Sequence, residues 1–335
     1  MLALIEGIMA MRRIFSGPGA FYHCMSRTVN GERVFNDPEK EILRKQLHQV
    51  AEFCGVEIVT YAIMSNHFHV LVRVPEPGPV SDAELMRRYR ILYPRPRRHS
   101  TALVSVLEEL LKAGGPAAEQ IRQKLTKLMG DLSVFMKILK QRFSTWFNKS
   151  RKRYGPVWAE RFTSVVVQGD LFAVKTVATY IDLNPVRAGI TDDPAQYRFC
   201  GYGEAQAAGR CGQLFLRHAI LSPEGRGDAD ILAIYRMGLF TVGAGPKRGA
   251  SKAGRIDLAK TERVTRSGGR LALAERLLLR VAWMTHGGVI GSQLFVREHL
   301  EKYRELTGRR KNHPPQTPLP DAEWGALHLL RRAGG

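Results

Sequence analysis

An α+β fold is predicted by three observations on this 335-residue chain. A β-rich stretch, FYHCMSRT, opens the ordered part, and two more, EIVTYAIM and HFHVLVRV, are separated by only Ser65-Asn66. Between the first and the pair lies a stretch with apolar residues at helical spacing, and a helix, a strand and a further helix follow later.

Phe21 to Thr28 reads as a strand ending in a turn at Asn30-Gly31. Asp37-Pro38-Glu39 starts a helix, with Asp37 as N-cap and Pro38 at the first helical position, and Leu43, Leu47, Val50 and Cys54 form its buried stripe. Residues 57–64 and 67–74 make a hairpin across Ser65-Asn66. From Pro75 to Gly130 the pattern breaks into PEPGP, RRYRILYPRPRRH and two polar helical stretches around 107–112 and 119–129, read as a partly helical, peripheral insertion.

Leu132 to Asn148 resumes as a helix with Phe135, Ile138, Leu139 and Phe143 inward. After YGPVWAERF comes a strand at 163–168, and Asp170 caps a helix to about Leu183. The order is β-α-β-β-α-β-α, a ferredoxin-like antiparallel sheet with helices packed on one face.

Beyond it, 201–255 is rich in Gly and Ala and reads as a linker containing GAGPKRGASKAGR, which lacks P-loop spacing. Residues 256–335 read as a small helical C-terminal domain: 271–285 and 292–306 are helical, joined by HGGVIG in a possible helix-turn-helix.

Lys and Arg number 51 against 31 Asp and Glu, a formal charge of +20. That excess favours a polyanionic partner, nucleic acid first, because each neutralised phosphate releases counterions. Between Val134 and Gly155 there is no acid, while Lys137, Lys140, Arg142, Lys149, Arg151, Lys152 and Arg153 are present, which marks a phosphate-contacting surface. Tyr89 and Tyr93 among the arginines of RRYRILYPRPRR are either base-stacking aromatics or part of a basic tether. No uncharged run reaches spanning length, and in MLALIEGIMAMRR the arginines follow the apolar part, the reverse of a secretory signal. Cys24, Cys54, Cys200 and Cys211 form no CxxC pair. A cytoplasmic, soluble protein is the expectation.

His67 and His69 point to the same side of a strand, so one metal ion can take both; for an arbitrary HxH pair, hydrogen-bonded surface histidines are the commoner outcome. On the last helix Val174, Val177, Ala178 and Ile181 form the buried stripe, and Tyr180 and Asn184, four apart, share one flank. Pro185 biases Asn184 away from helical dihedrals.

His67-Phe68-His69, WAERF at 158–162, YIDLNPVRA at 180–188 and the YHCMSR start together resemble the single-tyrosine HUH transposases, specifically the REP-associated tyrosine transposases, over roughly Phe21 to Ile190 without the insertion. The resemblance implies an HUH domain at 12–200. In it Tyr180 attacks a phosphodiester of single-stranded DNA, leaving a 5′-phosphotyrosine link, and His67, His69 and Asn184 hold Mg²⁺ or Mn²⁺. It implies hairpin-forming repeat elements as substrate, a bacterial nucleoid as setting, and a monomer or homodimer. Arg27, Arg142, Arg161 and Arg187 are candidate phosphate contacts. The alternatives are a domesticated hairpin-binding protein that does not cut, and a nickase of the replication-initiator type.

Overall fold

The computed structural model describes residues 19–76, 78–94, 103–191, 194–206, 235, 239, 287–307 and 328–331. Strands β1 (Phe21–Arg27), β2 (Glu57–Ile63), β3 (His67–Arg73) and β4 (Thr163–Val167) carry the core with helices α1 (Asp37–Cys54), α2 (Asp82–Leu92), α3 (Val104–Ala113), α4 (Gly115–Thr126), α5 (Leu132–Ser150), α6 (Leu171–Asp182), α7 (Asn184–Arg187) and α8 (Gly201–Gln206). Then follow β5 (Gly287–Gly291), α9 (Gln293–Thr307) and β6 (His328–Arg331). The sheet order is β2-β3-β1-β4-β5-β6. The first four strands are antiparallel neighbours, the ferredoxin-like arrangement expected from the element order.

Register assigns the faces. His23 lies opposite Leu71 on one side and Val165 on the other, Met25 opposite His69, and Arg27 opposite His67. These residues share one face, because alternate residues of a strand point the same way. The other face is apolar: Phe68 packs on Trp158, Trp158 on Phe143 of α5, and Phe143 edge-on to Phe35. Helices α1 and α5 pack together there. Helix α6 does not join them. Its Tyr180 meets the rings of His23 and His69, and its Asp182 accepts a hydrogen bond from Thr60 on β2 (2.8 Å), so it covers the opposite face. The helices therefore sandwich the sheet, whereas the sequence reading set them on one side.

Four further readings change. The N-cap of α1 is Asn36, one residue earlier than expected: Asn36 and Glu39 form a reciprocal capping box, and Pro38 sits in the first turn. The stretch after Pro75 is less peripheral than it reads, since α2 buries Leu85, Met86, Tyr89 and Leu92 and packs on α1, with Tyr93 edge-on to Phe53. Tyr89 is therefore a core aromatic and no base-stacking group. Residues 201–206, read as the start of a linker, form α8 docked on β2, where a Cβ at Gly201 would collide with Thr60.

GGVIG, expected as a turn between two helices, is strand β5, parallel to β4. Val289 and Ile290 are fully buried, so this short apolar run gains more as a sheet element than as a turn. The helix expected at 292–306 is α9, but the one expected at 271–285 and the GAGPKRG segment lie outside the described residues. Among the described residues no helix is long and apolar enough to cross a membrane. Cys24, Cys54 and Cys200 are buried thiols; Cys211 lies outside the described residues.

Candidate active site

The imidazole face of the sheet is where polar groups converge. β1 delivers His23, β3 delivers His67 and His69, and α6 lays Tyr180 against His23 and His69. The Tyr180 ring centroid lies 5.9 Å from that of His69, at 90°, and 5.9 Å from that of His23. Tyr180 is 2% exposed, so the ring that the helical wheel placed on a flank is closed in between helix and sheet.

Each histidine of the pair has one nitrogen fixed by a partner. Asn66 donates through Nδ2 to Gly31 O (3.0 Å), so its Oδ1 must face His67 Nδ1, 2.7 Å away. His67 Nδ1 is then the protonated nitrogen, and its lone pair sits on Nε2. His69 Nδ1 is 2.9 Å from His23 Nε2 in a fully buried contact. With the proton on His69 Nδ1, its Nε2 likewise carries the lone pair. Burial depresses the His69 pKa well below the usual imidazole range, and the neighbouring His23, His67, Arg187 and Arg27 push it the same way. His69 is neutral at physiological pH, the form a metal ligand needs.

Asn184 answers the question raised by Pro185. Helix α6 stops at Asp182, and Asn184 opens the short α7. Pro185 has no N–H for the carbonyl of Ile181, and Asn184 Nδ2 fills that gap by donating to Ile181 O (3.1 Å) and Tyr180 O (3.0 Å). Its Oδ1 accepts from Arg187. The guanidinium of Arg187 also lies over the Tyr180 ring, 4.1 Å from the centroid, a cation–π contact.

The remaining arginines divide. Arg27 is exposed and faces His67 in register, and Arg161 is exposed two residues before β4 begins. Arg142 is not brought to this face: it sits on α5, its guanidinium 5.7 Å from the Tyr93 ring centroid, its Nε buried without a hydrogen-bond partner and its pKa lowered by burial.

Sequence reasoning left two groups without a role. His23 had a signal, since it alternates with Met25 and Arg27 on a strand whose neighbour carries the HxH pair. Asn66 looked like a turn residue, and only the contact with Gly31 reveals it as the group that orients His67.

Among the described residues no group of three or more His, Cys, Asp or Glu is arranged to hold a metal ion. Two imidazoles alone make an open site that could hold a divalent ion only with further donors, unlike a closed four-ligand structural zinc site.

Among solved structures, a REP-associated tyrosine transposase bound to a REP hairpin is similar at 13% identity, covering 75% of this chain and 99% of that chain with a TM-score of 0.36. No curated protein matches the chain. Residues 18–93 match the family model described as "Transposase IS200 like", a segment that holds His23, Asn66, His67 and His69 and includes α2. The family-model likeness is confined to that segment, which ends well before α6.

Proposed function

We propose that the chain is a DNA strand transferase that cleaves and rejoins single-stranded DNA at hairpin-forming repeat elements, with Tyr180 as nucleophile. The observation that carries this reading is the packing of the Tyr180 ring against His69, beside the HxH pair, with the Arg187 guanidinium over it. Tyr180 lies beyond the family-model match, so its role rests on this geometry and on its motif.

In the forward step the Tyr180 oxygen bonds to phosphorus as the bond to the 3′-oxygen breaks. The phenol gives up its proton, and the departing 3′-oxygen takes one up from water. The phosphotyrosine keeps the ester bond energy, so the reverse attack by a 3′-hydroxyl rejoins strands without an external energy source. Mg²⁺ or Mn²⁺ held by His67 and His69 would supply Lewis-acid charge at the scissile phosphate. Asn184 Oδ1 accepts from Arg187 and would have to leave it to serve as a third ligand, which would free Arg187 for the phosphate. Arg27 and Arg161 guide the flanking backbone. The motif's resemblance to transposases of repeat elements makes a hairpin the first substrate to try.

Incubation with hairpin oligonucleotides and Mn²⁺, followed by denaturing electrophoresis, tests the proposal. A protein–DNA adduct present in the wild type and absent from Tyr180→Phe is expected. Tight hairpin binding with no adduct on any substrate would leave a binding protein instead.

A further inference from the structure

The basic stretch between α5 and β4 carries a feature that the cleavage chemistry does not use. Tyr154, within KSRKRYG, is 97% exposed. Single exposed aromatics are ordinary on protein surfaces, so exposure alone decides nothing. The setting decides more.

The loop holding Tyr154 is fixed from both sides. Arg153 N donates to Asn148 O (3.0 Å), Asn148 Nδ2 to Gly155 O (2.9 Å), and an Arg153 guanidinium nitrogen to Pro156 O (3.3 Å). Arg151 pairs with the buried carboxylate of Glu39, and Arg153 covers the Phe147 ring, 5.6 Å from its centroid. These two arginines anchor the loop, and Lys149 and Lys152 are left as exposed cations on either side of it. Lys152 adopts φ 49°, a left-handed conformation that a lysine takes up at some cost.

The loop leads directly to the imidazole end of the sheet. Val29 N donates to Val157 O (3.0 Å), Thr28 bridges Trp158, and Ala159 N donates to Arg27 O (3.0 Å). Arg27 is the register partner of His67. Tyr154 is thus separated from Ala159 by at most about 18 Å of extended chain. A strand of on the order of five nucleotides covers that distance, at about 3.4 Å each when stacked.

We propose that Tyr154 is a stacking platform for an unpaired base of the DNA strand flanking the scissile phosphate, with Lys149 and Lys152 holding that strand's phosphates. The inference rests on the DNA reading above and adds a binding contact to it. A nucleobase buries the exposed face of the phenol ring, and the platform tolerates any base because every base has a π-face.

Fluorescence anisotropy of the full chain, at one salt concentration, with a hairpin carrying a short thymidine tail and with the same hairpin untailed, tests it. Tyr154→Ala is expected to weaken binding of the tailed hairpin by about tenfold and to leave the untailed one unchanged, with Tyr154→Phe close to wild type on both. A 2-aminopurine in the tail should be quenched by wild type and Tyr154→Phe but not by Tyr154→Ala. Equal affinity of Tyr154→Ala and wild type for the tailed hairpin overturns the inference, as does an equal loss on both hairpins. If the wild type still forms the Tyr180 adduct in that case, only the platform fails; if it binds neither hairpin, the DNA reading fails with it.

Discussion

Along β3, Phe68, Val70 and Val72 face the helices α1 and α5, while His67, His69 and Leu71 face α6. The first face is an apolar core of Phe35, Phe143 and Trp158 around Phe68. The second places two imidazoles, a third from β1, a phenol and a guanidinium within ring-contact distance of one another. Both faces are largely buried, yet one is stabilised by area removed from water and the other keeps polar groups inside at a desolvation cost. A single strand thus carries an apolar core on its even positions and an imidazole pair among its odd ones, so under the proposed function substitutions on the two faces should separate activity from folding.

The sharpest separation comes from Tyr180→Phe. Removing one oxygen keeps the ring packed against His69 and beneath Arg187, so the urea midpoint should move little while the DNA adduct disappears entirely. A large loss of stability would mean that the hydroxyl is a buried structural group, and the two faces would not differ as argued. The converse variant is Phe143→Ala, on the apolar face. Phe143 is fully buried against Phe35, Trp146 and Trp158, and truncation should cost about 3–5 kcal/mol in urea unfolding, with adduct formation per folded molecule near normal.

The same contrast explains what was legible beforehand. Apolar alternation in HFHVLVRV and the helical stripes of α1, α5 and α6 announce the elements, because burial demands a period and the period is visible in the chain. Elements that depend on tertiary partners were not visible. GGVIG is too short to choose between turn and strand until β4 offers it an edge. The polar stretch of α2 looked peripheral because its buried residues meet α1 and have no periodic partner nearby in sequence. At the proposed site, the strand with His67 and His69 and the helix with Tyr180 were legible from spacing and motif, whereas Asn66 meets Gly31 through a contact that no local pattern encodes and His23 was signalled only by its alternation with Met25 and Arg27.

A third test concerns the α6 side of the sheet and pH. Asp182 is fully buried and accepts from Thr60, Tyr235 and the Tyr202 N–H, but burial outweighs these bonds and raises its pKa from 3.8 to about 7. The folded chain therefore holds a proton that the unfolded chain has released, so stability is greatest below pH 3.8 on this account, falls as pH rises through about 7, and is flat above. Asp182→Asn should remove that slope. Its unfolding free energy in urea, relative to wild type, should rise between pH 5 and pH 8 by an amount on the order of 2 kcal/mol, since each pH unit over which only the folded chain keeps the proton is worth about 1.4 kcal/mol. A pH-independent difference between the two proteins would show that Asp182 is ionised throughout.

An effect of similar size is expected at His23, where the two faces come closest to mixing. It belongs to a strand of the core, is almost fully buried, and touches both His69 and Tyr180. If its part is to hold His69 Nδ1 and so direct the lone pair of Nε2, it acts as the outer-shell partner of a metal-ligating histidine, and such partners are worth about 10–100-fold in metal affinity or activity. His23→Gln keeps a side chain able to accept at that position, and His23→Leu fills the space without accepting. The Leu variant should lose adduct formation by about 10–100-fold while unfolding at a urea concentration near that of wild type, and part of the loss should be recovered by raising Mn²⁺. The Gln variant should sit between the two. Equal activity of the Leu variant and wild type would assign His23 to packing alone and move the boundary between the stabilising and the chemical face from β1 to β3.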